Sequence, residues 1–216
     1  MAFATGNVVR SGTGGTLATI ASSDAVFQSF GGVAAINNSK AVAFWAQTHA
    51  GPSGIFVGDG ILTQPVVQTG DVLPGLGTVT WVGIGEEAIN DDGEVAFAVL
   101  YDDSGVIKSA IVRADPILPQ ISLLKLAAGV VGCKTIAANV VLDRVAPPGG
   151  VRIDIDNTNP AASAPATLKI GSNKTSGTFV ISTTPVSSNQ TGTITTTLAS
   201  SAQANCSPSA PSASNR

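Results

Sequence analysis

The stretch INDDGEVAF (residues 89–97) repeats INNSKAVAF (residues 36–44) without a gap, 53 residues later. Asn37 falls on Asn90 and Phe44 on Phe97. An Asn that opens a turn can bond its own backbone and tolerates the left-handed region, and the Asp-Gly that follows it at 92–93 suits a tight turn for the same reason. The VAF that comes next alternates, placing Val95 and Phe97 on one face of a strand. The motif therefore reads as a turn that launches a core strand. Written twice, it stacks such strands into one sheet system.

Other segments fall into the same register. MAF (1–3) matches the two VAF endings, and SGIFVGDG (53–60) has a degenerate echo in SAIVRAD (109–115). TLATIASSD (16–24) sits where LTQPVVQTGD (62–71) sits one unit on, and SFGGVAAIN (29–37) parallels TWVGIGEEAIN (80–90). Each unit is expected to run strand, Gly/Asp turn, strand, longer Pro/Gly loop, strand, as in antiparallel meanders.

Composition supports an all-β reading. Charged residues are 12% and aromatics 5% of 216 residues, while the Glu, Lys, Arg and Leu of long helix faces are scarce. Short strands joined by Gly and Pro turns fit better. The chain is long enough for one large domain or two small ones. Low charge with a mean hydropathy of +0.33 gives a surface that repels its own copies weakly, as suits a protein that packs against others. No uncharged apolar run reaches 18 residues; ISLLKLAAGVVG is broken by Lys125, so no membrane span is expected. The first ten residues lack the charged and apolar regions of a signal peptide. Two cysteines and a Ser/Thr-rich surface lean towards export.

The net charge of -3 hides a split: residues 1–117 hold 4 Lys/Arg against 11 Asp/Glu, and residues 118–216 hold 7 against 3. Either two domains simply differ, or an acidic half meets the basic half of a neighbour, giving head-to-tail association. Acidic overall and without a basic stripe, the chain is not expected to bind nucleic acid.

Past the Pro-punctuated linker at 116–120, ISLLKL, TIAANVVLD, GGVRIDID, ATLKIG, GTFVIST and GTITTTL read as six short alternating strands. That spacing indicates a β-sandwich. The expected organisation is a propeller-blade-like repeat domain (1–115), the linker, a sandwich (121–206) and a Ser/Pro/Ala-rich tail (207–216).

The residues Asn90, Gly93, Ala96 and Phe97, with GIFVGDG and GDVLPGLGT, resemble a bacterial tandem-repeat family named for its NxxGxxAF motif, found in surface and exported proteins. The first unit departs from it, with Lys40 in place of the motif's Gly. About two units are too few to close a propeller, which leaves sheet edges open. The second half, through APPGG (146–150) and SGTFVISTTPV (176–186), resembles an Ig-like β-sandwich module of bacterial surface proteins. Such modules end on a strand of alternating apolar residues, where this chain has SAQANCSPSAPSASNR. In one reading residues 204–207 form a stunted last strand and Cys206 pairs with Cys133, a crosslink that would add roughly 4 kcal/mol by loop entropy. In the other, the weak strand leaves a groove for a strand from another subunit, with residues 1–30 as candidate donor.

Sites of chemistry are few. His49 is the one histidine, which leaves no spare imidazole beyond a triad and reads as an ordinary loop residue, and two thiols do not make a zinc cluster. NDDGE (90–94) and DIDNTN (154–159) carry carboxylates but not the order of a calcium loop, and Asx turns account for both. GDG (58–60) is a turn, since no Lys follows it. Trp45, Trp81 and Tyr101 are too few to line a sugar groove and are expected in the core. Glycosylation sequons stand at Asn37, Asn173, Asn189 and Asn205. No cofactor or metal is expected. The sequence points to a non-enzymatic extracellular structural subunit whose partner is itself, in a fibre or surface layer joined head to tail by strand donation. The alternative is an adhesin or glycan-binding module that contacts surface glycans.

Overall fold

The computed structural model describes residues 1–126 and 132–199, and there every regular element is a β-strand. The first half forms three antiparallel meanders. Sheet A holds β1 (Ala2–Thr5), β2 (Val8–Gly12) and β3 (Leu17–Ser22). Sheet B holds β4 (Phe27–Ile36), β5 (Val42–Thr48), β6 (Ser53–Gly58) and β7 (Thr63–Gln68). Sheet C holds β8 (Val72–Leu73), β9 (Gly77–Ile89), β10 (Val95–Asp103) and β11 (Val106–Ala114).

The units expected to hold three strands thus hold four. The run before each motif Asn is itself a long strand, β4 or β9. Its glycines read as loop, yet the irregularity is absorbed by register shifts against β5 between Phe30 and Ala34, and against β10 between Val95 and Phe97.

Sheet B lies between the other two and has no wet side. Val42, Phe44 and Ala46 point towards sheet A, joining Val9, Ile20, Phe27, Phe30 and Phe56 in one core. Four of those rings meet at centroid distances of 5.0–6.1 Å, mostly edge to face. Ala43 and Ile55 point the other way and meet Val95, Phe97, Val99 and Tyr101 of sheet C. Val95 and Phe97 share a buried face, as their alternation requires. Residues 1–30 are not a spare donor strand: β2 and β3 pair with each other, and Val9 is fully buried beneath sheet B. Alternation marks an amphipathic strand but not whose sheet it joins.

The second half is a two-sheet sandwich. Its strands are β12 (Ile121–Lys125), β13 (Thr135–Leu142), β14 (Val151–Asn157), β15 (Ala162–Ser163), β16 (Thr167–Ile170), β17 (Ser176–Thr183) and β18 (Ile194–Leu198). One sheet runs β12-β13-β17-β15 and the other β16-β14-β18. Ala138, Val140, Ile153, Ile155, Phe179 and Ile181 fill the space between them. All six expected strands are present, with β15 in addition. The expected last strand at 204–207, the tail and Cys206 lie outside the described residues. Cys133 is exposed, in a turn at φ 64°.

Candidate functional site

The repeated turns meet in space. In the turn between β4 and β5, Asn37 Oδ1 accepts the Ala41 N–H at 2.9 Å and closes its own loop. Its Nδ2 donates across to the Asn90 carbonyl at 2.9 Å, one unit further on. Beside it the Asn38 N–H and Nδ2 donate to the Asp91 carboxylate at 2.9 and 2.7 Å. Those two bonds, the backbone one first, hold the Asp91 carboxyl below the ordinary carboxylate range. Asn90 behaves differently. Its Oδ1 accepts the N–H groups of Asp92 and Glu94, but its Nδ2 turns back onto Glu94's carboxylate at 2.7 Å. The first motif turn therefore staples itself to the second, and the second satisfies itself. The complementarity of Asn38 and Asp91, a donor in one copy and an acceptor in the other, was present in the sequence as the one polar difference at that position.

Gly93 and Lys40 hold the same left-handed place in the two turns, at φ 82° and φ 69°. Glycine adopts it freely; for Lys40 it costs on the order of 1 kcal/mol. Asn37 is buried and its amide nitrogen is committed to Asn90, so the sequon there does not present a glycan acceptor. Asn173 and Asn189 are exposed, and Asn205 lies outside the described residues.

The sandwich docks on these turns. Its Pro147–Gly150 turn, closed by Gly150 N–H to Pro147 carbonyl at 2.8 Å, brings Gly149 against Ser39; an added Cβ would stand 3.1 Å from the Ser39 side chain. The Gly149 N–H donates to Asp59 Oδ2 at 3.1 Å, while Asp59 Oδ1 accepts from Ile61 and Leu62 in its own GDG turn. Burial alone would raise the Asp59 carboxyl; the bonds from Gly149, Leu62 and Ile61 together outweigh it and hold the carboxyl low. Between these elements and the linker lies a cleft of about 340 Å³, floored by Val57, Val66 and Val95 and rimmed by Asp91, Asp92 and Asp115.

A second surface lies on the far side of sheet C. Hairpin register makes Ile111 the counterpart of Ile55, since Val42 pairs with Gly58 and Val95 with Ala114. Ile55 is 0% exposed under sheet C; Ile111 is 79% exposed. Ala98, Leu100 and Trp81 share that bare face. Trp81 is thus not a core residue: half its surface is open, and its indole lies across Gly83, where a side chain would displace it. Trp45 packs between sheets B and C, and Tyr101 is buried there.

Among the described residues the other groups singled out in the sequence do not come together. His49 is exposed at the end of the β5–β6 hairpin. Asp154 is paired with Arg152 at 2.9 Å, and Asn157 and Asn159 bond within their own loop. Among the described residues no three His, Cys, Asp or Glu side chains converge as metal ligands.

Fold and site together define a protein of stacked three- and four-stranded meanders, the two four-stranded ones stapled turn to turn, joined to a β-sandwich. Residues 6–111, just under half the chain, match the model of a family of unknown function, DUF7453. That match runs from β2 into β11, leaving out β1, and stops before the sandwich. No curated protein and no solved structure matches.

Proposed function

We propose that this chain is a non-enzymatic, extracellular structural subunit that associates with its own copies, head to tail, in a fibre or surface layer. The observation that carries the reading is the bare face of sheet C, with Ile111 open where its counterpart Ile55 is sealed. Contiguous apolar surface of this kind marks an interaction site. The outer edge of β11, unpaired among the described residues, offers a place for strand addition as well. The likeness to NxxGxxAF-type and Ig-like surface modules supports a location outside the cell. Negative-stain microscopy and light scattering on native protein test it. Uniform filaments or a concentration-dependent mass are expected; a monomer of 21.5 kDa at all concentrations refutes it.

A second reading, an adhesin or glycan-binding module, rests on the cleft between the halves. Its apolar floor and three rim carboxylates would suit a ligand with an apolar body and polar or cationic edges. Saturable binding by a stable monomer, lost on filling the cleft with Val66→Trp, would favour it.

A further inference from the structure

Both junctions inside the stack follow one rule. Sheet A turns its alanine side, Ala2 and Ala4 with Val9 and Ile20, to the phenylalanine side of sheet B, where Phe44 lies. Sheet B turns its alanine side, Ala43 with Ile55, to the phenylalanine side of sheet C, where Phe97 lies. Phe3, Phe44 and Phe97 occupy one position of the repeat, as do Ala43 and Ala96. Two faces are then left over among the described residues. Sheet C keeps an uncovered alanine side, Ala96, Ala98 and Ile111, and sheet A keeps an uncovered phenylalanine side, where Phe3 is in register with Arg10 and Arg10 with Thr19.

From this we infer that the bare face of sheet C is the seat for sheet A of a second copy, repeating between molecules the junction that sheets B and C make within one. The inference rests on the self-association proposed above and names the two surfaces that meet. Charge agrees with the pairing. Sheet A (residues 1–22) carries one charged side chain, Arg10, which is exposed and makes no ion pair among the described residues. Sheet C (residues 72–114) carries seven carboxylates against two cations. On its outer face the cation, Arg113, is already matched by Asp115 at 2.8 Å and Glu94 at 3.5 Å. Asp102, beside Leu100, accepts the Gly105 N–H on one oxygen at 2.6 Å; it has no cation against it among the described residues and would meet an incoming positive group. Two copies of sheet C facing each other would oppose like charges, which disfavours the symmetric dimer. A face-to-different-face contact does not close on two molecules and propagates instead.

The test uses two full-length variants altered at exposed positions. Ile111→Asp blocks the sheet C face, and Arg10→Glu with Thr19→Glu blocks the sheet A face. Each is expected to weaken self-association by about tenfold or more, as a charge buried against an apolar face requires. Mixed, they are expected to form a 1:1 pair and stop, because each retains the face the other lacks; that pair also shows that both variants are folded. If the sheet A variant still self-associates as wild type, the seat is another surface and the inference fails while self-association stands. If both variants lose association and their mixture forms no pair, the two faces do not meet, and the inference fails as well. If wild-type protein is monomeric throughout, the self-association reading fails and takes this inference with it.

Discussion

Replacing each motif Asn by Ala separates what the two turns do. In Asn37→Ala, the N–H of Ala41 loses its acceptor in a place where the residue is 1% exposed, so water does not replace it. An unsatisfied buried donor costs about 1–3 kcal/mol, and losing the Nδ2 bond to the Asn90 carbonyl adds about 1 kcal/mol. The total is about 2–4 kcal/mol. In Asn90→Ala the freed N–H groups of Asp92 and Glu94 face solvent, and a loss of about 0.5–1 kcal/mol follows. Both tryptophans, Trp45 and Trp81, lie in the repeat half. Urea unfolding followed by tryptophan fluorescence therefore reads that half without the sandwich. The expected result is a clearly larger loss for Asn37→Ala, with Asn37→Asp nearly as damaging, since it keeps the acceptor but sets a second oxygen against the Asn90 carbonyl. Equal losses at 37 and 90 would refute the staple and reduce both residues to local turn formers.

Lys40→Gly relieves the left-handed strain and is expected to raise stability by up to about 1 kcal/mol, whereas Gly93→Ala lowers it by about 1–2 kcal/mol because φ is 82° there; urea midpoints decide both. Ile55→Ala should cost about 2–5 kcal/mol and Ile111→Ala no more than about 0.5 kcal/mol in the dissociated protein, although the two hold one repeat position. Asp59, Asp91 and Asp143 have carboxyls held below the ordinary value. Their contribution is therefore present above the unfolded carboxylate range near pH 4 and is lost as pH falls through the lower folded values. Asp59→Asn should make that acid loss shallower in a pH series of thermal melts.

The strands were largely legible because period-two alternation and turn residues sit at regular spacing: Val95, Phe97, Ile153 and Phe179 are all buried as their patterns imply. The repeat also identified the NNSKA and NDDGE turns as equivalent, but not that they meet each other and the APPGG turn. Long-range placement was not legible. Nothing local distinguishes Ile55 from Ile111, since burial depends on whether another sheet lies over them. Trp81 looks like a core residue by type, yet it sits on the uncovered side of sheet C. Asn37 carries an intact sequon, and its amide donates its hydrogen bond to the carbonyl of a residue 53 positions away.

Sheet B's two apolar faces also set a condition on synthesis. Its last strand ends at Gln68, but the strands that seal its second face are complete only at Ala114. At about 5–20 residues per second the ribosome needs roughly 2–9 s to add that intervening stretch. Throughout that interval the nascent chain presents Ala43 and Ile55 to its surroundings, a temporary version of the surface that the finished molecule keeps at Ala96 and Ile111. On a crowded message, neighbouring nascent chains would offer one another the same half-built stack, so spacing between ribosomes bears on yield before any assembled structure exists.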